Sequence, residues 1–435
     1  MEPVKIVLIG AGSSSFGPGT INSLLAARDL LAHRSLHLVL VDTNEAALDR
    51  MSRYAAAIRA YRGLEVALEA TTDRCEALPG ADFVVTAVSV RRYELWREDF
   101  LVPLAYGFRH PYGECGGPGA AFHTLRSLHL IIPIARDMER LCPDAWLLNF
   151  TNPESRVCQG VSQLTQVRSA GLCHGFHSTY QTVAEVLGRP AEGLELDLGG
   201  LNHFHWVLGI RDRATGQDLL PEFERAMSQG GSGNLPPLTR FLYETFGRLP
   251  FPSDDHIGEY LRFGYEFLGP HYLQYEARVE AGAAWENAPA QVVSSIADGT
   301  RAVTEELAAP SGELVAPLIT DIMLNTGARR ESVNVPNVGP AIANLPTDAV
   351  VEVPATADAD GIHPAPVGPL PEPVAALCQT QVAIQKLLVE AYATGSRQAL
   401  LQALLLEPTV DDTRRCRQMM DEMLRRQQPY LPELT

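Results

Sequence analysis

A doubly wound α/β fold whose first domain binds a dinucleotide is what this sequence predicts. Three observations point to it. A glycine turn, Gly10-Ala11-Gly12-Ser13, directly follows an apolar run; a second apolar run closes on an acidic residue, Asp42; and further short apolar runs alternate with helical periodicity through the first half of the chain. At 435 residues the chain exceeds the usual size of one domain. The expected division is a Rossmann-type doubly wound parallel sheet over 1–195 and a second, mixed α+β domain over 196–435.

In chain order, Val4 to Ile9 reads as a strand, Gly10 to Phe16 as the turn, and Thr20 to Leu31 as a helix. Leu36 to Val41 is the second strand, ending at Asp42, and helical periodicity resumes from Glu45 to Tyr61. This is the βαβ dinucleotide unit. Gly10 and Gly12 let backbone approach a pyrophosphate at the N-terminus of the following helix, and Ser13, Ser14 and Phe16 join them as expected cofactor-binding residues. The third glycine of the fingerprint is replaced by Ser15. Asp42 stands where a carboxylate receives the ribose hydroxyls, which favours NAD over NADP because a 2′-phosphate would be repelled.

Strands at Phe83 to Val88 and Trp146 to Phe150 continue the pattern, between helices at Thr124 to Leu141 and Glu154 to Leu164. Asp42, Ser89, Asn149 and Asn152 then fall at or just beyond strand ends, where such sheets meet their ligands. Past Glu195 the alternation fades. Gly230 to Gly233 with Pro236-Pro237 reads as an irregular connection, and Ser332 to Pro371 is rich in Pro, Asn and Asp around one strand, Ala349 to Val353. Pro373 to Ala393 and Asp411 to Gln427 read as closing helices.

The net charge of −17 argues against a nucleic-acid partner and against adhesion to an anionic membrane, both of which need a basic face. No segment approaches the roughly 20 apolar residues of a membrane span. The start, Met1-Glu2-Pro3-Val4-Lys5, lacks a secretory pattern, so the expected compartment is the cytoplasm. Seven scattered cysteines without a CxxC pair fit free thiols.

The chemistry concentrates in a few places. Cys173, in Gly171-Leu172-Cys173-His174-Gly175, and His203, in Leu201-Asn202-His203-Phe204-His205, combine a soft thiolate with an imidazole, a donor set for a transition metal. Two protein ligands would leave coordination positions open for substrate oxygens. In Asn149-Phe150-Thr151-Asn152-Pro153 the rigid proline would fix the Asn152 amide toward a substrate hydroxyl and the nicotinamide. Gly113 to Gly119 forms a second glycine-rich loop ahead of a helix.

Taken together, Gly10-Ala11-Gly12-Ser13, Gly116-Gly117-Pro118-Gly119 with Arg126, Asn149 to Pro153, Cys173-His174-Gly175, Asn202-His203, and Asn334-Val335-Pro336-Asn337 to Asn344-Leu345-Pro346 resemble family 4 of the glycoside hydrolases, in the right order along nearly the whole chain. The resemblance implies a first domain like that of lactate and malate dehydrogenases, and a need for NAD and a divalent metal, usually manganese; NAD-dependent members are known exceptions to two-carboxylate glycoside hydrolysis. It implies that the sugar is oxidised at C3, loses its C2 proton, eliminates the glycosidic oxygen, adds water and is reduced again. Cys173 and His203 would be the metal ligands. The family's base is a tyrosine of the second domain, whose counterpart is Tyr260, with Tyr265 close by.

Within the family, His174 followed by Gly175 resembles the subgroup acting on α-glucuronides, and His174 would contact substrate and serve as general acid. Members that cleave 6-phosphorylated sugars carry an arginine near the Arg91 to Arg97 region; the matching position here is Trp96, which favours an unphosphorylated or uronic sugar. An α-galactosidase or α-glucosidase of the same family is the nearest alternative. A 2-hydroxy acid dehydrogenase fits the first domain but has no use for Cys173, and a non-catalytic NAD sensor needs no metal pair. The expected partner is a small glycoside, and the expected assembly a homodimer or homotetramer.

Overall fold

The computed structural model describes residues 3–14, 16–269 and 287–435; Ser15, the position of the missing third glycine, lies outside the described residues. Among the described residues eleven strands form one sheet: β1 Pro3–Ile9, β2 Ser35–Val41, β3 Ala67–Thr71, β4 Phe83–Thr86, β5 Trp146–Asn149, β6 Arg168–Gly171, β7 Leu194–Leu201, β8 Phe204–Asp212, β9 Ala328–Pro336, β10 Val350–Asp358 and β11 Gly361–Pro364. Their order is β3-β2-β1-β4-β5-β6-β9-β10-β7-β8, with β11 paired to β10. From β3 to β6 every pairing is parallel, in the doubly wound dinucleotide-binding order. From β9 onward every pairing is antiparallel. The sheet therefore runs unbroken across position 195.

Register explains how remote residues meet. Val41 pairs with Ile9, Ile9 with Thr86, Thr86 with Asn149, and Asn149 with Gly171. The same row continues through Asn334, Glu352 and Gly200 to His205. Asp42 follows the row's first residue by one position, Cys173 follows Gly171 by two, and His203 follows Gly200 by three. One edge of one sheet thus carries the Asp42 carboxylate and both thiol and imidazole.

The parallel strands read as continuous apolar runs because both faces are covered: β4 and β5 are buried at every position, and β1 and β2 nearly so. The helices Glu45–Tyr61 and Glu154–Leu164 have the bounds their periodicity predicts. The closing helices, Glu372–Thr394, Arg397–Leu406 and Thr413–Gln427, fold back onto the first half, where Leu388, Leu400 and Met419 share a core with Phe108, Phe122 and Leu125.

Several expected elements differ. The helix expected over Thr20 to Leu31 is two, Gly17–Leu25 and Arg28–His33, because Leu24, Leu25 and Leu30 are all buried and a single straight helix would turn Leu30 away from the other two. The helix expected from Thr124 begins at Gly117. The one strand expected near Ala349 is the longer β10, flanked by β9 and β11, and the stretch after Glu195 opens with the β7–β8 hairpin. Gly231–Asn234 forms a short 3₁₀ turn. Among the described residues, no helix is long and apolar enough to cross a membrane.

Candidate active site

A cleft of about 530 Å³ opens at the carboxyl ends of β1 and β2, lined by Gly10, Gly12, Ser13, Ser14, Asp42 and Ser89 among others. Gly10 adopts φ +87°, and a Cβ there would stand 2.2 Å from the Ala87 carbonyl oxygen, so only glycine fits. Asp42 accepts the Gly12 N–H at 2.8 Å and the Asn44 N–H at 2.9 Å. A carboxylate has about four acceptor positions, so two remain for a vicinal diol. Two expected cofactor residues sit elsewhere. Phe16 stacks on Phe150 at 5.3 Å and lines an adjoining cavity. Asn149 lines neither: it is fully buried, its amide accepts from Thr86 and from the Thr151 N–H and donates to the Thr151 carbonyl, and so it braces the strand end.

Farther along the same edge, Cys173 Sγ and His203 Nε2 stand 3.3 Å apart, a separation two donors sharing one cation can hold. His203 lies in the hairpin turn between β7 and β8 with φ +59°, a left-handed conformation that costs a residue with a Cβ roughly 1–2 kcal/mol. Its ring is held by stacking on Phe251 at 5.6 Å and by the edge-on ring of His256 at 4.5 Å. Burial, with Glu352 and Glu154 nearby, holds the Cys173 thiol well above the ordinary thiol value; burial and then His256 and His174 push His203 well below the ordinary imidazole value.

These residues fit a divalent metal. A cation would invert the thiol's penalty by favouring thiolate, and would use the lone pair of an imidazole that burial already keeps neutral. His203 Nδ1 is buried without a hydrogen-bond partner among the described residues. Among the described residues no third His, Cys, Asp or Glu joins the pair, so a metal held here keeps open positions. Behind the pair, the Glu154 carboxylate accepts from Asn334 at 3.0 Å, and Glu352 is 3.2 Å from His205 Nδ1 and accepts from Ser332.

Of the two tyrosines considered, Tyr260 reaches this turn: its hydroxyl donates to the Asn202 carbonyl at 3.1 Å, and its ring packs on Phe204. Tyr265 is half-buried beneath Arg109. Burial, then Cys115 and Glu259, raise the Tyr260 phenol well above its ordinary value. His174 caps the helix Gly175–Leu187 and pairs with Glu313 at 3.0 Å, which raises its pKa. Neither cavity is lined by His174.

The adjoining cavity shares Ser13, Ser89 and Arg92 with the cleft. It is lined by Ser89, Arg92, Trp96, Tyr112, Glu114 and Asn152, besides Phe16. Tyr112 stacks on His256 at 5.2 Å, and Trp96 Nε1 donates to the Tyr112 carbonyl. Asn152 Nδ2 donates to Glu114 at 3.4 Å, and Arg126 on the same lining is locked in a buried pair with Asp99 that Gln427 completes. Reasoning on the sequence assigned no role to Glu114, His256 or Glu259. Their signal was present only as acidic and imidazole groups inside otherwise apolar or glycine-rich motifs.

The chain matches known proteins over nearly its whole length. The family model for a family 4 glycosyl hydrolase matches residues 5–189, and the model for the C-terminal domain of family 4 glycosyl hydrolases matches residues 198–410. An α-glucosidase of Erwinia rhapontici is 32% identical over 467 residues, spanning 98% of each chain. An α-galactosidase of Bacillus subtilis is 30% identical over 416 residues, spanning 93% of each. The crystal structure of a 6-phospho-α-glucosidase from gut microorganisms, in complex with NAD and Mn2+, matches over the full length of both chains with a TM-score of 0.83 and 26% identity. With both halves of the chain matched by models of the family, the chain belongs to family 4 of the glycosyl hydrolases.

Proposed function

We propose that this glycosidase uses NAD and manganese to hydrolyse α-glycosides whose glycon is a uronic acid, through oxidation at C3 and elimination across C1 and C2. The observation that carries the mechanism is the shared row of strand ends, which sets the dinucleotide cleft and the Cys173–His203 pair on one edge, with the Tyr260 hydroxyl on the turn that bears His203. When bound, NAD supplies a reversible hydride acceptor and manganese a Lewis acid.

The chain's own residues do the rest. Asp42 holds the ribose, and Asn152, fixed against Glu114, orients a sugar hydroxyl. Once C3 is a carbonyl, the C2 hydrogen is acidic and Tyr260 takes it. The glycosidic oxygen leaves with a proton from His174, whose pairing with Glu313 keeps the imidazolium available. Water then adds at C1, the proton returns to C2, and the C3 carbonyl is reduced, so the reaction has no net redox change.

The uronide rests on His174-Gly175 after the metal cysteine and on Trp96 at the position where 6-phosphate enzymes carry arginine. Arg92 lies one helical turn before Trp96 and lines the same cavity, which gives a carboxylate a cation. A panel of nitrophenyl α- and β-glycosides, uronides and 6-phosphates, assayed with NAD, manganese and a thiol reductant, tests this. Turnover of the α-glucuronide above all others is expected. Preference for an α-glucoside or α-galactoside, the substrates named for the two curated relatives, would overturn the uronide and keep the mechanism.

Asp42 selects the cofactor. Asp42→Ala is expected to weaken NAD by roughly 10-fold or more, the scale of a lost hydrogen bond to a charged group, and to narrow its advantage over NADP. Titration showing that the wild type prefers NADP would refute this role.

A further inference from the structure

The helix Gly117–Leu141 supplies His123, Arg126, Ser127 and Leu130 to the cavity that adjoins the dinucleotide cleft, with which it shares Ser13, Ser89 and Arg92, and that Asn152 also lines. His123 Nδ1 stands 2.9 Å from the Glu114 carbonyl oxygen. A carbonyl only accepts, so Nδ1 carries the hydrogen and Nε2 is left as a lone pair. No described residue bonds Nε2. Burial, then the guanidinium of Arg126, pushes the imidazole down to about 3, so it stays neutral through the working range of pH.

The tautomer is held from behind. The Glu114 N–H donates to the Glu259 carboxylate at 2.6 Å, the Cys115 N–H donates to the same group at 3.2 Å, and Glu259 is fully buried. The Glu114 peptide is therefore clamped on one side by Glu259 and offers its carbonyl to His123 on the other. The result is a fixed, neutral acceptor lining a cavity, which fits a hydroxyl donor and is unsuited to an anion or to proton abstraction.

We propose that His123 is a specificity residue of this glycosidase: its Nε2 accepts a hydrogen bond from the C4 hydroxyl of the glycon. This rests on the reaction proposed above, which engages the oxygens at C2 and C3 and leaves C4 as the remaining ring hydroxyl. A site built around a hydroxyl donor discriminates against an analogue that lacks it, because the acceptor is then left without its partner once the substrate covers it.

The test uses the nitrophenyl glycoside that the wild type cleaves best, whichever sugar that is, with its 4-deoxy analogue, in the presence of NAD and manganese. His123→Phe keeps a planar ring and removes the acceptor. It is expected to lower kcat/KM for the parent by roughly 10- to 100-fold, to leave the rate on the 4-deoxy analogue within about twofold of the wild type's, and to leave the Kd of NAD unchanged. His123→Gln, which retains an acceptor, is expected to recover part of the loss on the parent. If the Phe variant fails to bind NAD, His123→Ala carries the same comparison. An unchanged kcat/KM for the parent would overturn the proposal. So would equal losses on parent and 4-deoxy substrates with weaker NAD binding, because the acceptor would then serve the nicotinamide carboxamide. Failure of the uronide assignment changes which parent is used and leaves this comparison intact.

Discussion

Cys173→Ala is expected to abolish glycoside hydrolysis and manganese retention together while leaving NAD binding intact. The thiol is one of only two protein donors that converge here, 3.3 Å from His203 Nε2, and among the described residues no third carboxylate, thiol or imidazole joins them. Removing it leaves a single imidazole, and a loss well beyond the roughly 10- to 100-fold that follows disturbance of an outer-shell partner is expected in metal affinity. The dinucleotide cleft is built on β1 and β2, several strands away, and shares no hydrogen bond with Cys173. Metal content after dialysis, NAD titration and turnover separate the three properties. Full activity and unchanged metal uptake in metal-depleted buffer would dismiss the pair as the metal centre.

A pH dependence accompanies this result. Burial, Glu352 and Glu154 hold the thiol protonated in the absence of a cation, so metal binding must displace a proton. The proton competes with the metal below the raised thiol pKa, and apparent manganese affinity is therefore expected to strengthen as pH rises toward that value. Cys173→Ala removes the dependence along with the affinity.

Local pattern carried much of the parallel half. β1, β2 and the helix Glu45–Tyr61 are legible because burial on both faces makes continuous apolar runs and burial on one face makes helical periodicity. β6, by contrast, spans only Arg168–Gly171 with a polar start, and its place is set by pairing with β5 and β9. The β7–β8 hairpin turns on Asn202-His203, where the left-handed residue that carries the imidazole takes a place glycine would fill without strain. That Cys173 meets His203 depends on a row of cross-strand partners running through Asn334 and Glu352, more than a hundred residues downstream, which no local spacing reveals. Asn149, placed at a strand end where a ligand is expected, spends its amide on Thr86 and Thr151, a pairing that depends on β4 and on the cross-strand register and that no local pattern shows.

Tyr260→Phe is expected to lower turnover by roughly 10²- to 10⁴-fold, the usual contribution of a general base, while folding, NAD binding and manganese binding survive. The substitution keeps the ring that packs on Phe204 and removes only the hydroxyl, whose bond to the Asn202 carbonyl is one that water or a slight shift of the turn can replace. In the metal-free site that phenol is a donor with a raised pKa, because burial and the neighbouring Cys115 and Glu259 oppose a phenolate. A divalent charge at the adjacent Cys173–His203 pair acts in the opposite sense, so the tyrosine becomes a competent base only when the metal site is filled. Two measurements follow. Hydrolysis in deuterated water should place deuterium at C2 of the released sugar, since the proton is lost and regained there. Substrate deuterated at C2 should wash out that label during turnover. Tyr265, half-buried beneath Arg109, is the control: Tyr265→Phe should leave the rate within about threefold, as expected for a residue outside the proton transfer. An unaltered Tyr260→Phe enzyme beside an inactive Tyr265→Phe enzyme would move the base, and a product without deuterium at C2 would remove the elimination mechanism itself.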